Sequence, residues 1–389
     1  MESIEKRIAA LTDYLVEQRR YFHSHPELSC KEYNTSRRIK EELDKMGIPY
    51  ETAGETSVVA TIKGALPGKT VAVRGDIDAL PILEMTGVPF ASKTDGVMHA
   101  CGHDCHITFA LGCARFFGEM RDELKGTVKV VFQEGEEVGA GARKILAAGL
   151  LDDVDNIAGL HVTPEIDLGK FGTGYGPRMA SGGGVVIKII GKAGHSSTPY
   201  KAVNALSVAG QVVSAINRVA AYDFDPFDQV VLVPTIAHAG TKVNIIPGEA
   251  EITYNYRLLD MKYAPIIAEK AMRAAQRTAE ACGATAEVTV QSFGMVSLSN
   301  EKESTDRAIK VMKEQFGDDA AQITRPVMGG EDFAAYLQKI PGTFAFIGAA
   351  RDGNYQNLHT DKSLPDEDVL ALGTQFLVAY ALDYLNEEE

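Results

Sequence analysis

The sequence predicts an α/β protein: a larger α/β domain, a mixed sheet flanked by helices, split by a smaller α+β insertion. Helical and strand patterns alternate through the first 180 residues and resume after about residue 292. Between them lies a compact β-α-β-β-α-β run. The chain has 389 residues, 45% of them hydrophobic, which exceeds what one core usually serves. Two domains are therefore expected, one formed by 1–180 with 292–389 and one by 181–291.

Taken in order, apolar residues at helical spacing place helices near 3–22 and 32–46. Short apolar strands follow at SVVATIKG, TVAVRGDID, TVKVVFQ and NIAGLHV, with a helical segment from His103 to Met120 between the second and third. The stretch FGTGYGPRMASGGG, 171–184, has the glycines of a phosphate loop. A proline and the strand VVIKIIG stand where a helix start would be required, so it reads as a flexible hinge. The insertion then runs strand 185–190, helix about 201–220, strands 229–237 and 249–258, helix about 264–283 and strand 285–291. That split βαβ, ferredoxin-like order buries one face of a four-stranded sheet under two helices. Hinged at 171–184, it would close over a substrate as a lid. Helix 303–316, the segment EDFAAYLQ, strand TFAFIG and helix 366–385 complete the chain.

Composition narrows the function classes. A net charge of −14 with no Lys/Arg block disfavours nucleic acid or an anionic membrane as partner. No apolar run approaches the roughly 20 residues of a membrane span. The N-terminus is a charged amphipathic segment, not a signal peptide, so a cytoplasmic protein is expected. Five cysteines at irregular spacing suggest no disulfide framework: Cys30, Cys113 and Cys282 read as packing residues, and Cys101 is free to act as a ligand. A small molecule is the expected partner.

The segment Met98–His106, MHACGHDCH, carries three histidines, two cysteines and a carboxylate. Such nitrogen and thiolate donors suit a borderline-soft divalent metal, yet no second donor pair of the CxxC or HxxxH kind exists to complete a structural zinc site. Further donors follow strands: Asp76 and Asp78, then Glu134, Glu136 and Glu137, then His161, and His359 after TFAFIG. In open α/β sheets ligands gather beyond the carboxyl ends of strands. If these strands are parallel neighbours, the groups meet Cys101 and His103 in one cleft. Without cations they would raise one another's pKa, and two ions sharing a thiolate bridge resolve the conflict.

Each residue also has a plainer reading. Glu134-Gly-Glu-Glu alone could be a solvated acidic turn, and His161 a core histidine. His23 and His25 sit at a helix exit before Pro26 and read as a cap; His99 and His106 suit support or packing beside the ligands. Glu331-Asp332 could cap the EDFAAYLQ helix, His195 could mark a helix start, and Asn244 could hold a turn.

Motifs along nearly the whole chain resemble the M20 metallopeptidases, in the branch of hippurate hydrolases, N-acyl-amino-acid amidohydrolases and auxin-conjugate hydrolases. They are YFHSHPELS at 21–29, RGDIDALPI at 74–82, MHACGHD at 98–104, QEGEE at 133–137, GLH at 159–161, GKAGHSSTP at 191–199, NIIP at 244–247 and GGEDF at 329–333. The resemblance implies two divalent ions (Zn, Mn, Co or Ni) on Cys101, His103, Glu137, His161 and His359, with Cys101 bridging. It implies Glu136 as general base, Asp78 as support, and His195 binding the scissile carbonyl or substrate carboxylate. Asn244 and Arg257 would contact the substrate end group, and the insertion would form a homodimer. The implied reaction is hydrolysis of a small N-acyl amino acid, or a dipeptide-like substrate, by a metal-activated water.

Departures from the family pattern are Glu134-Gly135 where Pro-Ala is usual, Cys105 and His238; the first implies a more flexible, more acidic approach to the base. Within the family a dipeptidase, a carboxypeptidase or an N-acetyl-diaminopimelate deacetylase are the alternatives. Outside it stand a cysteine hydrolase using Cys101 with His103 or His161, and a metal-binding protein without activity.

Overall fold

The valine- and isoleucine-rich runs become strands because both faces of the sheet they form are covered. The computed structural model describes residues 3–225, 227–292, 294–351 and 356–387. The chain divides into two compact units, one of Met1–Arg178, Ser299–Pro326 and Glu331–Glu389, the other of Met179–Leu298 and Val327–Gly330.

The elements begin with α1 (Ile4–Ala9), α2 (Thr12–Ser24), α3 (Tyr33–Lys45), β1 (Tyr50–Ala53), β2 (Ser57–Lys63) and β3 (Leu66–Asp76). Next come α4 (His103–Glu119), β4 (Lys125–Gln133), α5 (Gly141–Ala147), β5 (Asn156–Asp167), β6 (Phe171–Thr173) and β7 (Gly176–Met179). Then follow β8 (Ser181–Ile190), β9 (Gly194–His195), a 3-10 turn (Pro199–Lys201), α6 (Ala205–Tyr222), β10 (Val230–Ala239), β11 (Ile245–Ile246) and β12 (Glu249–Leu258). The last are α7 (Tyr263–Ala281), β13 (Thr285–Ser292), β14 (Leu298–Asn300), α8 (Lys302–Phe316), β15 (Ala321–Ile323), α9 (Ala334–Leu337), β16 (Gly342–Ala350) and α10 (Val369–Leu385).

In the larger unit eight strands form one mixed sheet in the order β1-β2-β4-β3-β5-β16-β6-β15. Its four central strands β4, β3, β5 and β16 are parallel neighbours, whereas β2 is antiparallel to β4. Buried on both faces, these strands read as continuous apolar runs without alternation. Helices α4 and α10 are buried almost all round, which is why neither has a clear polar face. The helix expected over 3–22 is two, α1 and α2, joined at Ala10–Leu11, where the Leu11 side chain is buried.

In the smaller unit an antiparallel sheet of order β10-β12-β8-β13 packs one face against α6 and α7. Alternate burial along β12 marks the covered and open faces. Ala271, Ala275 and Ala279, spaced by four, line the buried side of α7. Among the described residues no helix is long and apolar enough to cross a membrane.

The glycine-rich stretch 171–184, expected as a flexible hinge, is strand instead: β6, β7 and the start of β8. Its glycines serve close approach. A Cβ at Gly183 would lie 2.2 Å from the Gln291 carbonyl oxygen on β13 and 2.3 Å from Tyr256 Oη on β12. Gly183→Ala is therefore expected to destabilise the protein by about 1–3 kcal/mol. A lowered urea-unfolding midpoint measures this, and an unchanged midpoint would contradict the packing described.

Candidate metal centre

The carboxyl ends of the four central parallel strands deliver the donors to one place. β3 leads to Asp76 and Asp78, β4 to Glu136 and Glu137, and β5 carries His161; His359 follows β16. Cys101 and His103 stand at the start of α4, which packs against β3 and β4. Among the described residues five triads of possible ligand atoms result: beside Asp76–His103–His106, His103–Glu136–Glu137 and Glu136–Glu331–Asp332 stand Cys101–His103–His161 and Cys101–Glu137–His359, with the atoms of each within 4.8 Å of one another. Cys101 belongs to the last two. Its Sγ lies 3.1 Å from His359 Nε2 and 3.5 Å from His161 Nε2, and the residue is only 8% exposed.

Hydrogen bonding orients the rings. A carbonyl oxygen has no proton to give, so His161 Nδ1 donates to the Val162 carbonyl at 2.6 Å, and His103 Nδ1 donates to the Asp78 carbonyl at 2.9 Å. Both rings thus turn an Nε2 lone pair toward the cleft, as metal-ligating histidines do. His103 Nε2 and Glu137 Oε1 are buried and make no hydrogen bond, although Glu137 Oε1 lies 3.3 Å from His359 Nε2 and 3.9 Å from His103 Nε2. Burial pushes the Cys101 thiol up, so a thiolate there needs a cation beside it. A bare imidazole nitrogen, a bare carboxylate oxygen and a buried sulfur fit a divalent metal, whereas they leave a closed protein interior unsatisfied.

Around this cluster lies a supporting layer. Asp78 Oδ1 is 3.2 Å from His103 Nδ1, while Oδ2 accepts from Ser29 Oγ at 2.6 Å and from the Glu137 backbone N–H at 3.0 Å. His106 accepts from the Val162 N–H through Nε2 (3.0 Å) and therefore donates to Asp76 through Nδ1 (2.6 Å); it is a strut between strand ends. Arg19 and His23 both bond Asp104 Oδ2, at 2.9 and 2.8 Å, and His23 reaches Glu84 at 3.1 Å. Although burial disfavours its charged form, those carboxylates raise the His23 pKa. His25 caps α2 by donating to the Tyr21 carbonyl and stacks on the Tyr21 ring. His99 is buried, and neither ring nitrogen has a hydrogen-bond partner.

Glu136 is 7% exposed, and its Oε1 accepts from the Asp332 N–H at 3.4 Å. Burial, then Glu331, Asp332 and Glu137, push its pKa well above the usual carboxylate range. The Glu331-Asp332 pair does more than cap the following helix. Both carboxylates bond Arg74 Nη2, at 2.9 and 3.0 Å, and Asp332 also accepts from the Ala142 N–H at the start of α5. Arg74 further bonds Gln133 Oε1 (3.0 Å) and Asp76.

Glu134 does not join the cleft, and its charge is met by Lys144 and backbone donors instead of making the approach to Glu136 more acidic. Its Oε2 accepts from the backbone N–H groups of Glu55, Thr56 and Ser57 at 2.6–3.0 Å, and Lys144 bonds the other oxygen. Gly135, at φ +59°, takes a left-handed conformation that disfavours the usual alanine; a Cβ there would sit 2.8 Å from Cys30 Sγ. The buried Glu32 carboxylate holds the Gly135 N–H at 2.9 Å. Cys105 is buried in α4 among core side chains.

The remaining candidates lie in the smaller unit. His195 is exposed, its Nδ1 accepts from the Ser197 N–H at 3.1 Å, and Nε2 therefore carries the proton of the neutral ring. The β9–β11 ladder pairs His195 with Ile245, and the Asn244 carbonyl accepts from the Ser196 N–H. Sequence reading missed this short ladder, whose strands have two residues each. Arg257, on β12, lies opposite Gly182 of β8, close enough that a Cβ there would meet its Cδ at 2.9 Å. His238 is exposed on the edge strand β10, opposite Glu251.

Residues 72–383 match the sequence profile of peptidase family M20/M25/M40. The chain is 36% identical over 394 residues to thermostable carboxypeptidase 1 of Saccharolobus solfataricus, covering 100% of this chain and 99% of that protein. It is 37% identical over 373 residues to an N-acetylcysteine deacetylase of Bacillus subtilis, covering 95% and 96%. A solved Bacillus subtilis protein described as a dinuclear metal binding peptidase from the M20 family superposes with a TM-score of 0.85 at 35% identity, over 97% of this chain and 99% of that one.

Because Asp78 fixes both the His103 ring and the Glu137 backbone, Asp78→Asn is expected to weaken divalent-metal affinity about 10- to 100-fold. Competition with a metallochromic chelator measures it; wild-type affinity would remove Asp78 from the supporting layer.

Proposed function

This chain belongs to peptidase family M20/M25/M40, and on that premise we propose that it cleaves the amide between an acyl group and an amino acid. It is a metal-dependent hydrolase. The observation that supports the finer reading is the pair of donor triads sharing Cys101, with a further carboxylate, Glu136, within 4.8 Å of His103 and Glu137. In this proposal Cys101, His103, Glu137, His161 and His359 would hold two divalent ions, Zn, Mn, Co or Ni, and Cys101, common to both triads, would serve the two together. Ions held there supply Lewis acidity, which brings the pKa of water toward about 7 and polarises the scissile carbonyl.

The chain's own groups do the rest. Glu136 takes a proton from the attacking water and passes it to the leaving amine. In this reading the two adjacent carboxylates have separate duties: Glu137 shares a triad with Cys101 and His359, and Glu136, near His103 as well, accepts from the Asp332 N–H. Burial and the neighbouring carboxylates, which raise the Glu136 pKa, make it a stronger proton acceptor than an ordinary carboxylate. His195, protonated on Nε2, donates to the oxygen that becomes negative in the tetrahedral intermediate. Asn244 and Arg257 bind the substrate carboxylate, a pairing in which a guanidinium gains two parallel bonds. A homodimer through the smaller unit belongs to the same proposal, and a single-chain mass by sedimentation would count against it.

The carboxypeptidase relative favours a second substrate, a peptide cleaved at its C-terminal residue, by the same chemistry. A panel of N-acetyl and N-benzoyl amino acids set against dipeptides and a carboxypeptidase substrate separates the two by kcat/KM.

Glu136→Gln is expected to retain its metal by elemental analysis and to lose turnover by a factor of about 10² to 10⁴. Cys101→Ala is expected to lose bound metal. Chelated wild-type protein is expected to be inactive until one divalent ion is restored; full turnover without metal would instead favour Cys101 as a nucleophile.

A further inference from the structure

The geometry points to Arg74 as a positioning residue for Glu136, acting through the Glu331-Asp332 turn; this rests on Glu136 being the general base. Arg74 sits near the end of β3, 3% exposed, directly between Val73 and Gly75. Its guanidinium spends every nitrogen on one layer of groups. Nε donates to Gln133 Oε1 at 3.0 Å, Nη1 to Asp76, and Nη2 to Glu331 Oε1 at 2.9 Å and Asp332 Oδ1 at 3.0 Å. Gln133 closes the ring by donating from Nε2 to Asp332 Oδ1 at 2.7 Å.

The consequence reaches the base through the backbone. Held by Arg74 and Gln133, Asp332 points its own N–H at Glu136 Oε1, 3.4 Å away. Among the described residues no cation bonds Glu136, so this amide helps to fix its orientation short of substrate. Gln133 also begins the segment that carries Glu136, and Tyr336 Oη donates to the same Gln133 Oε1 at 3.0 Å. The turn and the base-bearing loop are thus clamped by one planar fork. Lysine in that place keeps the positive charge but cannot reach four acceptors in one plane. A general base displaced by a fraction of an ångström loses rate while substrate and metal still bind.

The test is a double-variant cycle of Arg74→Lys with Glu136→Gln, on metal-loaded protein and the best substrate of the panel above. Arg74→Lys alone is expected to lower kcat about 10- to 100-fold, with KM and bound metal unchanged. In metal-free protein the amides of Asp332 and Phe333 should exchange with solvent at least about tenfold faster, a readout independent of turnover. In the Glu136→Gln background the same change should cost less than about twofold, because there is no base left to position. Equal losses in both backgrounds, wild-type kcat in Arg74→Lys, or a deficit that tracks lost metal each overturn the proposal. Wild-type turnover in Glu136→Gln alone would instead defeat the base assignment, whatever Arg74 does. Should Arg74→Lys fail to fold, Asp332→Asn enters the same cycle with the same expected outcomes, since it removes a carboxylate oxygen from Arg74, Gln133 or the Ala142 N–H.

Discussion

Crowding of like charge at one buried sheet edge is the constraint on which the larger unit depends. Asp76, Asp78, Asp104, Glu136, Glu331 and Asp332 are each under a tenth exposed, and a buried carboxylate without a counter-charge or donors costs several kcal/mol or takes up a proton. The chain answers most of them itself. Arg74 serves Asp76, Glu331 and Asp332, and Arg19 with His23 serves Asp104. Asp78 collects a hydroxyl, a ring nitrogen and a backbone amide. Two of the buried atoms left without an internal hydrogen bond, His103 Nε2 and Glu137 Oε1, belong to the two donor triads that share Cys101.

Much of this was legible. The alternation of apolar runs with helical spacing identified the central strands to within a few residues, since a strand buried on both faces has little choice but valine, isoleucine and alanine. The convergence of donors followed from one rule, that ligands gather where parallel strands end. The supporting cations were harder to see. Arg74 interrupts the run TVAVRGD and Arg19 falls on the buried side of α2, and an arginine on an apolar face is itself a signal that partners exist. Which partners could not be read: Glu331 lies 257 positions from Arg74, and nothing local encodes that pairing.

The failures have physical reasons too. Glycine content suggested a hinge at 171–184, but glycine also permits backbones to approach, and Gly183 is used that way between β13 and Tyr256. Glu134 looked like added acidity because its amino-acid type is charged. In the fold it is a many-bonded acceptor that closes the turn between β1 and β2, with Lys144 neutralising it. A side chain's chemistry does not reveal which side of the chain it leaves from when the backbone next to it takes a left-handed turn, as Gly135 does.

The sheet's strand order bears on how the protein is made. β16 inserts between β5 and β6, although more than a hundred residues of chain, including the whole four-stranded unit, are synthesised between them and it. During translation from the N-terminus, β5 and β6 must therefore wait with an unfilled slot while the smaller unit, continuous for nearly all its length, can fold first. His359 leaves the ribosome later still. The donor cluster is thus assembled only once His359 has been made, and a nascent chain stalled before β16 exposes an apolar groove where a strand should lie.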